Sequence, residues 1–282
     1  MSQNHFTIRF PLDAPADSKA LAEQLPTLMP ALFSALDTNG TVHASRFTIL
    51  DEKTLLILGD FDGEFGPLMT DLAKGAGPVF DAIFQHVENP PATPVANNVA
   101  AFVDWSAGHL LRAATLFSAY PDVTVKDIKA LAAAAGVTGG SKQLPFLVIL
   151  PIKSKLAYVE VEMLLYARAH RTQKDLAQVG TPHFAQFIPL GNNQVGFFTV
   201  YDGSFNDYIA DFTKYIGPVF DLVFKFVKDP PPSPCRKHVQ EFIDFAAGAN
   251  RDPIGFYLAY PGLSVQDIHA LIADSKAVSG SR

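Results

Sequence analysis

A single cysteine, a single tryptophan and a charged fraction of 18% define what this chain of 282 residues has little of. Cys235, between Pro234 and Arg236, has no second cysteine to pair with. That excludes an intrachain disulfide framework and any cysteine-based zinc or iron–sulfur centre, so no metal site is expected, and it fits a reducing compartment. Basic charge is scarce as well, with 22 Lys and Arg against 28 Asp and Glu and a net charge of −6. Neutralising phosphates takes clustered Lys and Arg, so no nucleic-acid partner is expected. The densest basic stretch, Arg168, His170, Arg171 and Lys174, reads as a solvated helix end. No run approaches 18 apolar residues, and the polar start from Met1 to Arg9 lacks a signal-peptide core. The expectation is a cytoplasmic protein with no membrane partner. Also missing are a GxSxG elbow, an HExxH pair, a P-loop and a tandem-glycine dinucleotide signature, which counts against hydrolases, zinc peptidases and nucleotide enzymes.

Apolar residues, by contrast, are plentiful: 48% of the chain, with 23 phenylalanines. So few charges leave apolar surface to be covered, either by association, with a homodimer expected, or by an internal cavity that takes a small apolar or aromatic molecule.

The chain is also duplicated. GTVHASRFTIL from Gly40 aligns with GTPHFAQFIPL from Gly180, and the 140-residue offset continues without a gap through PDVTVKDIKAL from Pro121 and PGLSVQDIHAL from Pro261. Between Gly40 and Ala134, 34 of 95 positions are identical across the halves. The repeats are assigned to residues 1–140 and 141–282, with the boundary in the Gly139 to Ser141 segment.

Each half has one order of elements. Phe6, Ile8 and Phe10 alternate with polar residues, as a strand does. Leu21, Leu25, Leu28, Leu32 and Leu36 recur at helical spacing, with Pro26 and Pro30 predicting a kink or two short helices. Val42 to Leu50 and Thr54 to Phe61 form a hairpin across Asp51-Glu52-Lys53. A long helical region follows from Phe65 to Val87, with a kink expected at Gly77-Pro78, and at Gly217-Pro218 in the second copy. Beyond Pro90-Pro91 comes a short helix that Gly108 can end in a left-handed cap, and then a strand from Ala114 to Tyr120. Thr124 with Asp127, and Ser264 with Asp267, predict a capping box at the start of a last helix.

The fold class is therefore α+β: two tandem ferredoxin-like βαββαβ domains with extra helices. Helices on one face of each sheet leave the other face to be covered, and the expected solution is an internal pseudo-dimeric α/β barrel. This pattern resembles the dimeric α/β-barrel superfamily. The strings HASRFTIL…DFDG and HFAQFIPL…VYDG, with FSAYPDVTVKDI and YLAYPGLSVQDI, resemble proteins labelled peroxidase-related. Gly59-Asp60-Phe61-Asp62-Gly63 is similar to the GxxDG string of dye-decolorising peroxidases, a resemblance that implies haem as a candidate cofactor and Asp62 as an aid to peroxide cleavage. The superfamily also holds chlorite dismutases and cofactor-free monooxygenases and isomerases, so fold does not choose the chemistry.

Among the histidines, His43 and His183 occupy matched positions at the start of a second strand. With Asp62 they are the catalytic candidates, set against a role in tying down loop backbone. His109, beside Gly108 and near Arg112, is the candidate axial ligand. Asp81 and Asp221 fall among apolar helical positions, where a helix-to-loop hydrogen bond is the expected use. Tyr120 and Tyr260 end the fourth strands, where a phenol can pin the next turn. Two functions remain open: a ligand-binding protein, extended to an oxidoreductase by the resemblance, or a scaffold whose core is filled.

Overall fold

A computed structural model describes residues 3–280. The fold is α+β, with two four-stranded antiparallel sheets. In the first half, strand β1 (Gln3–Pro11) leads into helix α1 (Pro15–Asn39), and β2 (Val42–Leu50) and β3 (Thr54–Asp62) form the expected hairpin. Its turn residues Asp51 and Glu52 both have φ of 52°, the left-handed conformation that suits a tight hairpin. Helices α2 (Phe65–Gly75), α3 (Gly77–Phe84) and α4 (Val99–Gly108) follow, then strand β4 (Thr115–Ser118) and helix α5 (Val125–Ala135). The second half repeats the order with β5 (Gln143–Pro151), α6 (Lys155–Ala177), β6 (Pro182–Gly191), β7 (Gln194–Asp202), α7 (Phe205–Val223), α8 (Val239–Ala249), β8 (Gly255–Leu258) and α9 (Val265–Gly280). No helix among the described residues is long and apolar enough to cross a membrane.

The strand that completes each sheet comes from the other half of the sequence. One sheet runs β1-β3-β2-β8, the other β4-β6-β7-β5. Accordingly, the first compact unit consists of Met1–Leu111, Asp122–Lys129 and Pro253–Tyr260, and the second of Arg112–Pro121, Ala130–Asp252 and Pro261–Arg282. The outer edge of β1 is already occupied: Arg9 N–H donates to His109 O at 3.0 Å and Leu111 N–H to Thr7 O at 2.8 Å. Backbone that follows α4 thus satisfies the edge that a half's own fourth strand would otherwise take.

Three local expectations meet different outcomes. Helix α1 is one element through Pro26 and Pro30, so the alternative of two short helices does not form. Both prolines lie four apart on its exposed side, where water can take the carbonyls they leave unbonded. The glycine–proline step breaks the first copy into α2 and α3 at Ala76, yet α7 runs through Pro218. Gly108 stays inside α4, and its C-cap is His109 at φ −108°, not a left-handed glycine. Both capping boxes do form: Asp127 accepts from Thr124 N at 3.0 Å and Asp267 from Ser264 N at 2.9 Å.

In the first unit Phe6 and Phe61 face α2, packing with Phe65, and Phe10 packs on Phe84 and Trp105. By the two-residue alternation of strands, Asp60 and Asp62 of β3 and His5 and Thr7 of β1 point to the opposite, helix-free face. That face is buried as well, with Leu56, Leu58, Arg46 and Thr7 each at most 1% exposed.

Candidate functional site

His43 sits where β2 shifts register against β3, between Val42 and Ala44, and it is fully buried. Its Nδ1 lies 2.7 Å from the Tyr260 hydroxyl and its Nε2 lies 2.9 Å from Asp62 Oδ1. A carboxylate can only accept, so Nε2 donates to Asp62, and Nδ1 of the neutral ring accepts the tyrosine proton. The other oxygen of Asp62 accepts from Val125 N at 2.8 Å, at the N-terminus of α5, where the exposed N–H groups of a helix favour negative charge. Gly63, which follows, takes φ 91°, so the Asp-Gly step is the turn its composition suggests.

The second unit repeats this chain of contacts. Tyr120 OH is 2.7 Å from His183 Nδ1, His183 Nε2 is 2.9 Å from Asp202 Oδ1, and Asp202 Oδ2 accepts from Val265 N at 2.7 Å. Gln143 Nε2 also approaches His183 Nε2, at 3.3 Å, but both atoms are donors in this arrangement. The real partner of that amide is Leu263 O, at 2.7 Å. Each Tyr–His–Asp chain therefore ties the end of a fourth strand, the start of a second, the end of a third and the first turn of a final helix. Present in both units, it is a clasp that holds the exchanged strand.

These contacts decide how the candidate histidines fit haem. Both ring nitrogens of His43 and of His183 lie within hydrogen-bond distance of a protein group, so neither ring, as placed, offers a nitrogen to iron. His109 lies at the end of α4. Its Nδ1 donates to Trp105 O at 2.7 Å and its ring stacks on the Trp105 indole at 3.9 Å. None of the four described cavities is lined by it. As placed, these three candidate histidines thus do not fit the role of a haem ligand. Asp62 does reach a surface groove of about 430 Å³, beside Asn39, Gly63, Glu64 and Asp71. The described residues hold no group of three or more side chains arranged to bind a metal ion. Asp81 and Asp221 make the expected helix-to-loop bonds, accepting from Val95 N at 2.7 Å and Cys235 N at 2.8 Å. Burial and the neighbouring Asp221 push the Cys235 thiol up, which disfavours the reactive thiolate.

A second polar group, not singled out in the sequence, occupies the helix-free face of the first unit. Arg46 Nη2 donates to Asp60 Oδ2 at 2.6 Å, Asp60 Oδ1 meets His5 Nδ1 at 2.9 Å, and His5 Nε2 meets Thr7 Oγ1 at 2.8 Å. Arg46 and Asp60 are 0% and 1% exposed. Burial pushes the Asp60 carboxyl up, but the charges of Arg46 and then His5 outweigh it and hold it below the ordinary carboxylate range. Burial lowers the Arg46 guanidinium, against the pull of Asp60. Arg46 Nε and Nη1 have no hydrogen-bond partner among the described residues. In the second half the positions of Arg46, Asp60 and His5 hold Gln186, Val200 and Pro145. A signal was therefore present: two opposite charges on the two strands of one hairpin, at positions uncharged in the other copy.

No family model and no curated protein matches the chain. Among solved structures, it is similar to a protein of Fusobacterium nucleatum subsp. nucleatum named a "putative monooxygenase", at 9% identity over 93% of this chain and 97% of that one, with a TM-score of 0.42. It is also similar to a protein of the same description from Lactobacillus acidophilus NCFM, at 8% identity over 93% and 98%, with a TM-score of 0.35. At these identities no residue role transfers, and the chemistry rests on the side chains described above.

Proposed function

We propose that this chain binds a small, mainly apolar molecule carrying one hydrogen-bond-accepting oxygen, against the helix-free face of the first unit's sheet, with Arg46 as the anchor. The observation that carries this reading is the pair of unpartnered nitrogens, Nε and Nη1, on a fully buried guanidinium. Leaving such donors unsatisfied costs about 1–3 kcal/mol, and more for a charged group, which an acceptor oxygen would recover. Asp60 already balances the charge, so a carbonyl or phenol oxygen serves as well as a carboxylate. Leu56 and Leu58 on the same face supply apolar wall. The helix side of this sheet offers no alternative: its enclosed cavity, between residues such as Phe6, Leu32 and Phe80, has about 10 Å³ of room, too little for more than a single water.

The test uses thermal stabilisation and native mass spectrometry of the full chain with a panel of aromatic acids, phenols and aromatic ketones. The control is Arg46→Gln with Asp60→Val, which installs the Gln and Val of the other half and removes this buried ion pair. The expected result is stoichiometric binding of one class by the wild type and at least about tenfold weaker binding by the double variant. Binding of none of the panel, or equal binding by both proteins, would refute the proposal and favour a scaffold whose guanidinium is satisfied by water.

A further inference from the structure

We propose that the outward face of α6 is a contact between two copies of this chain, the two α6 helices lying antiparallel across a two-fold axis. The inward side of this helix is clear, since Val161, Leu165, Thr172 and Leu176 are buried. On the opposite side Leu156, Val159 and Met163 are 69%, 50% and 66% exposed. Their spacing of three and four places them in one stripe. The other large exposed apolar residues among those described, Leu110 and Val137, are single and only 38% and 37% exposed. Isolated apolar residues need no explanation, whereas three in a row on one helix do. Helix α1, the counterpart of α6, holds Ala16, Lys19 and Glu23 at these positions, so the duplicated ancestor's fold did not require the stripe.

The charges around the stripe select the occupant and its direction. Beyond Met163 the same face continues as Ala167, His170 and Lys174, with Glu160 flanking the first half and Arg171 the second. A parallel pair would leave Glu160 and Arg171, eleven residues or about 16 Å apart along the axis, out of each other's reach. Antiparallel pairing instead sets Glu160 of one copy beside Arg171 of the second copy, twice, and seats each Met163 over the small Ala167 opposite. It also lays the Lys174 stem along Leu156 while its ammonium reaches water. Arg171 is available for this: its side chain is 74% exposed and it lies 3.7 Å from Asp175, a loose contact. The arrangement is self-complementary, as a two-fold interface must be. One helix pair is at the small end of specific interfaces, so the dimer is expected to dissociate in the micromolar range.

Sedimentation of the full chain from about 1 to about 100 µM tests the assignment, in the range set by that affinity. The expected result is a reversible monomer–dimer equilibrium. Met163→Glu should raise the dissociation constant at least about tenfold, Glu160→Arg about threefold, and Glu160→Arg with Arg171→Glu should return towards the wild-type value. All three side chains are exposed or lie on an exposed face, and an unchanged melting temperature will confirm that the variants fold. Leu156→Asp repeats the test should Met163→Glu fail that check. A monomer at every concentration, or a dimer indifferent to Met163→Glu and Leu156→Asp, would overturn the proposal.

Discussion

The two halves of this chain share one plan and differ in where each departs from it. Both carry the Tyr–His–Asp clasp at the same 140-residue offset, with distances that agree to 0.1 Å: 2.7, 2.9 and 2.8 Å in one unit, 2.7, 2.9 and 2.7 Å in the other. The first half alone buries Arg46, Asp60 and His5, where the second has Gln186, Val200 and Pro145. The second half alone exposes an apolar stripe on α6. A feature kept in both copies is explained by what both must do, which is to hold an exchanged strand. A feature present in one copy and costly there asks for a separate explanation. A buried ionic group is rarely a net source of stability, so the fold itself gives no reason for Arg46.

Arg46→Gln should give the largest effect. It leaves Asp60 buried beside His5 without its main counter-charge, with an expected loss of about 3–5 kcal/mol in urea unfolding. Adding Asp60→Val should recover most of that loss, because the pair then matches the uncharged Gln186 and Val200 of the second half. If the double variant stays as unstable as the single one, the ionic cluster is structural and the comparison between halves fails. The clasp should rank next. His43→Phe and His183→Phe each strand a buried tyrosine hydroxyl and a carboxylate, costing about 2–3 kcal/mol. The loss should be larger for His43, because Asp62 is less exposed than Asp202, 2% against 10% for the side chains, and Asp202 keeps a bond from Ser141 Oγ at 3.2 Å.

The acid dependence sharpens the same contrast. The folded-state pKa of Asp60 is depressed, so its contribution is fully present above the ordinary carboxylate value of about 3.9 and is lost as pH falls through the lower folded value. Below about pH 4 the wild type should therefore lose stability more steeply than Arg46→Gln/Asp60→Val, by up to about 1.4 kcal/mol per pH unit for the one extra proton bound. Denaturant midpoints collected across that range will show it, and parallel profiles would contradict the assignment. The smallest effects concern helix starts. Ser204 caps α7 by accepting from Asp207 N at 3.2 Å, while Glu64 at the same position of α2 makes no side-chain cap. Ser204→Ala should cost about 1 kcal/mol and Glu64→Ser should gain about half that, read as shifts in melting temperature.

Much of this architecture was legible because its determinants are local. The two hairpins and the capping boxes at Thr124 and Ser264 follow from residue types a few positions apart. The helix periodicity was legible too, but the effect of its prolines was not. Pro26 and Pro30 break nothing because they face water, a fact of packing and not of spacing. Of the candidate site, His43, His183 and Asp62 were visible as a matched pair and a turn. Their partners were not, because Tyr260 reaches His43 across 217 residues and Tyr120 reaches His183 across 63. Arg46 and Asp60 were passed over because, 14 residues apart on different strands, they meet only once β2 and β3 are paired in register.

By itself, then, the sequence determined the duplication, the order of helices and strands, the turns that join them and which histidines correspond. Those properties depend on hydrophobic period, on capping side chains and on glycine's tolerance of positive φ, all of which act over a few residues. The tertiary structure decided which strand completes each sheet and hence which tyrosine meets which histidine. The reason is an edge: backbone from His109 to Leu111 satisfies the outer side of β1, so the hydrogen-bonding groups left open for a fourth strand are those of β2 and β6, which take β8 and β4. Burial then did the rest, turning Arg46 from one polar residue in a strand into a desolvated cation with two of its nitrogens unmatched.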